Sequence, residues 1–215
     1  MSATDLRSRV VATAIRAHRL IVVLRRVEPR DRLLELVAEL ADDGVRAFEI
    51  TMDAVAAADD LAAVRAALLG RSDGPFLVGA GTILRREQLD AARRAEADFG
   101  VAPVLDEELV RAAVAGGLPF IPGGLTPTEI IAAWNAGATF VKLFPASAVG
   151  PALVRELRGP LPDVALIPTG GVDASNATAF LEAGAAAVGI GSAITRATPD
   201  ERRALVRSLT GGRAT

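Results

Sequence analysis

The sequence predicts an α/β protein, a (β/α)8 TIM barrel with an extra N-terminal helix, and three observations carry that expectation. Eight short apolar or β-branched runs alternate with eight longer Ala/Leu/Arg/Glu stretches of helical period, the count that a (β/α)8 barrel requires. The 215 residues lie near the lower end of that fold's range, about 200 to 400 residues. No shift in composition marks a linker, so residues 1–215 read as a single domain.

In chain order, strands are expected at 20–24 (LIVVL), 46–51 (RAFEIT), 76–79 (FLVG), 98–101 (DFGV), 119–121 (PFI), 139–143 (TFVKL), 164–167 (VALI) and 186–190 (AAVGI). Helices are expected near 31–42, 55–68, 86–95, 106–115, 126–136, 151–157, 173–183 and 199–208, after a charged helical N-terminus. Gly44, Gly116 and Gly137 follow helices, where a residue without Cβ ends a helix at little cost. "TPTE" at 126–129 reads as an N-cap with its Glu three residues on. The competing architecture is a doubly wound open sheet. It usually carries a glycine loop after its first strand, and "VLRRVEPRDR" has no glycine. "GAGTIL" at 79–84 starts like a dinucleotide loop but puts Leu84 where the third glycine belongs.

Composition removes several classes of function. A net charge of -2 argues against a nucleic-acid partner. The absence of Cys removes disulfides, thiolate chemistry and Cys-ligated zinc, and one His argues against a poly-His metal site. A Ser-His-Asp triad would have to draft that same His18, on the N-terminal helix, where a surface or packing role is expected, so no metal and no cofactor are expected. The longest apolar runs are strand-length, which argues against a membrane span. The N-terminus has none of the h-region of a signal peptide, and a cytoplasmic protein is expected. With 51% hydrophobic residues and a mean hydropathy of +0.34, there is material for a core and for a subunit interface.

Two ionisable residues lie inside strand runs, Glu49 in "AFEIT" and Lys142 in "FVKLF". Alternation puts Glu49 on one face with Ala47 and Thr51, and Lys142 on one face with Phe140 and Phe144. If both faces point into a barrel, a carboxylate and an amine meet in a confined space. A buried ion pair is the plain explanation. However, Lys142 is the only lysine of the chain, every other strong cation being Arg, and Arg is the usual choice for a buried pair. Only an amine can shed its proton and form a Schiff base with a carbonyl, and desolvation favours that neutral form. A single lysine left by chance in an Arg-rich chain stays open as the alternative. After the last two strands, "PTGGV" and "IGSAI" supply Thr169, Gly170, Gly171, Gly191 and Ser192, in the two loops that commonly hold phosphate in barrels; ordinary tight turns also use glycine.

"FEITM", "VGAGTI", "VKLFPAS", "IPTGGV" and "VGIGSAI" together resemble the 2-keto-3-deoxy-6-phosphogluconate (KDPG) / 4-hydroxy-2-oxoglutarate (KHG) aldolase family, in register from about residue 14 to 208. The resemblance implies a class I aldolase on a (β/α)8 barrel, assembled as a homotrimer, that splits small-molecule 2-keto-4-hydroxy acids into pyruvate and an aldehyde. By position it implies Lys142 as the Schiff-base lysine and Glu49 as the general acid/base. It matches Thr82 to the residue touching the pyruvyl group, Phe144 to the aromatic of the pocket, and Thr169 to a residue linked to stereochemistry. Gly170, Gly171, Gly191 and Ser192 match the phosphate loops. Many members carry Arg four residues after the glutamate, where this chain has Asp53; others carry it at the end of strand one, which matches Arg25 as carboxylate binder. Asp53 is expected to point along the rim and cap the helix starting near residue 55. Ala102 stands where the family usually has a serine. A phosphosugar isomerase or synthase barrel, and a non-catalytic trimeric scaffold, remain as alternatives.

Overall fold

The computed structural model describes residues 3–211, so the ends of the expected 1–215 domain lie outside the described residues. Helix α1 (Ala3–His18) leads into β1 (Leu20–Leu24), α2 (Arg30–Asp42), β2 (Ala47–Thr51), α3 (Ala57–Leu69), β3 (Leu77–Gly81), α4 (Arg86–Arg94), β4 (Gly100–Val101) and α5 (Glu107–Ala115). The chain continues through β5 (Phe120–Ile121), β6 (Gly123–Gly124), α6 (Pro127–Asn135), β7 (Val141–Leu143), a 3₁₀ turn at Ala146–Ala148, α7 (Gly150–Leu157), β8 (Leu166–Pro168), α8 (Ala177–Glu182), β9 (Val188–Ile190), α9 (Ser192–Thr195) and α10 (Pro199–Thr210). Among the described residues the strands pair in parallel, in the orders β5-β4-β3-β2-β1-β9 and β6-β7-β8. This is an α/β fold on a curled parallel sheet.

The expected fifth strand is split. Pro122 separates β5 from β6, because proline has no N–H for a ladder. Its carbonyl still accepts from Lys142 N at 2.8 Å, so the backbone passes from one sheet to the other without losing contact with the lysine strand. A bridge between Thr169 and Gly189 joins the end of β8 to β9.

Strand periodicity sorts the core into two layers. Val22, Leu24, Phe48, Ile50, Val141 and Leu143 face outward against the helices, in the large cluster that includes Leu36, Leu61 and Val110. Ile21, Ala47, Phe99, Val101, Ile121, Phe140, Ile167 and Ala187 form the inner cluster, which also takes in Val11 and Ile15 of α1. The first helix therefore packs apolar side chains into the inner layer. Such burial is worth about 1.5–3 kcal/mol for each large side chain. Helix α6 starts on the capping box read from the sequence: Glu129 N donates to Thr126 Oγ1 at 3.3 Å, and Thr126 N donates to Glu129 Oε2 at 2.9 Å. Buried Arg202 ties α10 to the end of α2 through Asp43 at 2.9 Å and Glu39 at 3.0 Å. Among the described residues, no helix is long and apolar enough to cross a membrane.

Candidate active site

The C-terminal ends of the strands open into a cavity of about 780 Å³, lined by Arg25, Lys142, Phe144, Thr169, Gly170 and Ser192 among others. The inner face of β7 runs from the fully buried Phe140 just before it to Lys142, which is 5% exposed, and on to Phe144 at the rim. On β2 the same alternation brings in Ala47, Glu49 and Thr51, all buried. The two ionisable groups meet: Lys142 Nζ stands 3.8 Å from Glu49 Oε1 and 5.2 Å from the centre of the Phe144 ring.

This pair is poorly built as a structural brace. A stabilising buried pair uses short, preferably bidentate contacts, because each ion has lost its hydration. Here the one contact is long, and Glu49 Oε1, shut off from solvent, has no hydrogen-bond partner among the described residues. An unsatisfied buried oxygen costs about 1–3 kcal/mol, a cost that a substrate or water bonding to it would relieve. Glu49 does not line the main cavity. It borders a cavity of about 10 Å³ that shares Lys142, Thr169 and Gly189 with the larger one. Its room is made by Gly81, since a Cβ there would collide with the Glu49 carboxylate.

Arg25, immediately after β1, reaches across two loops. One Nη donates to Asp53 Oδ2 at 3.1 Å and the other to Thr82 Oγ1 at 3.2 Å. The expectation for Asp53 is corrected here. It is not the cap of α3, whose N-cap is Ala56 with no side-chain bond. It is drawn instead to two guanidiniums, Arg25 and, at 3.4 Å, Arg26. Burial works to raise the Asp53 carboxyl, but the Thr51 hydroxyl, Arg25, its own backbone N–H and Arg26 outweigh it and hold the group below its ordinary value. Thr82 and Arg26 both have left-handed backbones, at φ 56 and φ 47. Such conformations cost non-glycine residues of order 1–3 kcal/mol and gather at functional sites.

The two glycine loops after β8 and β9, expected from the sequence to hold phosphate, lie on the same cavity. Gly170 (φ 85) follows Thr169, and a Cβ on it would press on the Phe144 ring. Asn176 Nδ2 donates to Gly171 O at 2.9 Å and fixes the loop, and Gly191 and the exposed Ser192 hydroxyl complete the wall. Sequence reasoning missed Arg196, which also lines the cavity and, among the described residues, makes no ion pair. Its place four residues after Ser192, across the single turn of α9, was the available signal. Ala102 packs in the outer core instead of lining the cavity.

A family model described as KDPG and KHG aldolase matches residues 11–205. The chain belongs to that family. It is 37% identical over 179 residues to the 2-dehydro-3-deoxy-6-phosphogalactonate aldolase of Escherichia coli K12, covering 83% of this chain and 85% of the relative. It is 34% identical over 172 residues to the 2-dehydro-3-deoxy-phosphogluconate aldolase of Pseudomonas aeruginosa, covering 80% and 76%. Among solved structures, the KDPG aldolase of Legionella pneumophila, with pyruvate captured as a covalent carbinolamine, superposes with a TM-score of 0.77 at 26% identity, covering 95% of this chain and 98% of that one. Membership in the aldolase family fits the chemistry of an amine beside an unsatisfied carboxylate.

Proposed function

We propose that this protein is a class I aldolase that cleaves 2-keto-3-deoxy-6-phosphogluconate to pyruvate and glyceraldehyde 3-phosphate, with 4-hydroxy-2-oxoglutarate as a second substrate giving pyruvate and glyoxylate. The observation that carries the reading is the lone lysine, buried in the cavity beside a carboxylate oxygen that has no hydrogen bond among the described residues. Neutral Lys142 attacks the C2 ketone, and loss of water gives a protonated imine. Glu49, directly or through one water, takes the C4 hydroxyl proton as the C3–C4 bond breaks. The bonding electrons pass into the imine, leaving an enamine. Glu49 returns the proton to C3, and hydrolysis frees pyruvate and Lys142. The C4 centre becomes the aldehyde carbon, so the gluco and galacto epimers of the six-carbon substrate yield the same two products.

In this reading Arg25 binds the C1 carboxylate, Thr82 stands beside it at the pyruvyl group, and Phe144 covers the imine. Thr169 faces the C4 substituents. Gly170, Gly171, Gly191 and Ser192 hold the 6-phosphate. The parallel pairings, the bridge from Thr169 to Gly189 and the Pro122 passage support one (β/α)8 barrel with an N-terminal helix as its plug, a single domain over 1–215. The exposed Val55, Leu84 and Val104, on the loops after β2, β3 and β4, support assembly as a homotrimer. Phosphorylated sugar acids do not cross membranes unaided, which assigns the work to the cytoplasm.

Sodium borohydride with pyruvate tests the proposal, since reduction of the imine adds a stable pyruvyl group to Lys142. Absence of that adduct, in a chain that still cleaves the substrate, would rule out the imine.

A further inference from the structure

The end of β1 and the loop after β2 hold an arrangement that includes Asp53, to which the proposed reaction gives no role, and two residues with left-handed backbones, Arg26 and Thr82. Leu24 and Ile50 are register partners, so Arg25 leaves β1 at the level of Thr51, two residues before Asp53 on the neighbouring chain segment. Asp53 takes Arg25 Nη1 at 3.1 Å and Arg26 Nε at 3.4 Å, and its backbone oxygen accepts from Arg26 Nη2 at 3.0 Å. The segment before it is pinned from the other side. Gln88 Nε2 donates to Met52 O at 2.8 Å while Gln88 Oε1 accepts from Leu84 N at 2.8 Å. Thr82, buried and left-handed at the end of β3, takes the second Nη of Arg25 at 3.2 Å.

Free arginine side chains sample many rotamers, and ordering one on binding costs affinity. Here two anchors fix the Arg25 guanidinium before any substrate arrives. They use two of its five N–H donors and leave the others to a planar, bidentate partner. The charges fit such a partner. Two guanidiniums and one carboxylate leave one net positive charge, the complement of a single carboxylate.

The geometry points to Asp53 as a positioning residue that holds Arg25 at Thr82 as a receptor for the C1 carboxylate, making the site selective for 2-keto acids over neutral ketones. This rests on the assignment of that carboxylate to Arg25. An acidic residue at this position thus recruits the acidic substrate through Arg25 instead of repelling it.

The test is exchange of C3 protons with solvent, measured for pyruvate and for pyruvamide, its neutral amide. Wild type is expected to favour pyruvate in kcat/KM by about 10² or more, the weight of a bidentate charge-assisted contact. Arg25→Gln should bring that ratio to within a few-fold of unity. Asp53→Asn should lower it about tenfold, chiefly through KM for pyruvate, with Asp53→Glu recovering part of the loss. In the Arg25→Gln background, Asp53→Asn should change the ratio no further, an outcome that a general loss of stability would not give. If Arg25→Gln collapses the ratio and Asp53→Asn leaves it unmoved, Asp53 has no positioning role. If Arg25→Gln itself leaves the ratio intact, the carboxylate binds elsewhere and both assignments fall.

Discussion

Lys142 Nζ lies 3.8 Å from Glu49 Oε1, with the two side chains 6% and 3% exposed. They come from strands far apart in sequence, held opposite each other by parallel registers that place Glu49 beside Val23 and Gly79, and Lys142 beside Gly123 and Ile167. The chemistry proposed for the protein hangs on that one approach, and so do the sharpest tests.

Lys142→Arg keeps a positive charge beside Glu49 and removes the nucleophile. Cleavage should fall by about 10³-fold or more, with no borohydride adduct and an unaltered circular-dichroism spectrum. A folded variant retaining a tenth of the wild-type rate would be incompatible with imine catalysis.

Glu49→Gln preserves shape and abolishes the base. The variant should still be trapped by pyruvate and borohydride, whereas C3 proton exchange slows by about 10² to 10⁴. Normal exchange would move the base to another residue.

Gly81→Ala tests the space that Glu49 occupies, since the added methyl would collide with its carboxylate. The crowding should cost about 1–3 kcal/mol of stability and lower exchange more than it lowers trapping at Lys142. Unchanged exchange in a folded Gly81→Ala protein would show that the position of Glu49 is not critical.

Ser192→Ala addresses the phosphate. Charge-assisted bonds are worth roughly 1.5–3 kcal/mol each, so the phosphorylated six-carbon acid should exceed its unphosphorylated form and 4-hydroxy-2-oxoglutarate by at least about 10² in kcat/KM. Ser192→Ala should narrow that gap. Equal values for all three substrates, unmoved by the substitution, would leave a pyruvate aldolase without a phosphate site.

The pH dependence of stability should include the helix caps. Backbone N–H groups of Thr126 and Leu125, together with the Thr126 hydroxyl, hold Glu129 below its ordinary value, and the Ser175 hydroxyl and N–H do the same for Asp173. A depressed carboxyl stabilises the fold above its unfolded value of about 4 and loses that contribution as pH falls through the lower folded value. Thermal melts should therefore drop below about pH 4, and Glu129→Gln should melt lower at pH 7 with a shallower acid slope. An identical acid slope in the variant would remove Glu129 from the account.

Much of the site was legible because strand alternation is a local rule. "AFEIT" put Glu49 on one face with Ala47 and Thr51, and "FVKLF" put Lys142 on one face with Phe140 and Phe144, without any knowledge of neighbours, and a lone lysine among arginines marked itself. Asp53 was misread because a helix cap is also a local rule, and its real partners, Arg25 and Arg26, come from another loop. Pro122 divides the fifth strand for a reason visible in its own ring, yet the passage works only because Lys142 N meets its carbonyl.

The sequence by itself determined the alternation of strands and helices, the residues that share a strand face and the presence of one candidate nucleophile, because these follow from periodicity and residue chemistry along the chain. Tertiary structure alone decided that Arg25 is gripped by Asp53 and Thr82, that Gly81 clears space for Glu49, and that Glu49 keeps an oxygen without a hydrogen bond among the described residues. Each of these depends on distances between side chains from different loops and strands, which the register of the sheet fixes and which no stretch of sequence encodes alone.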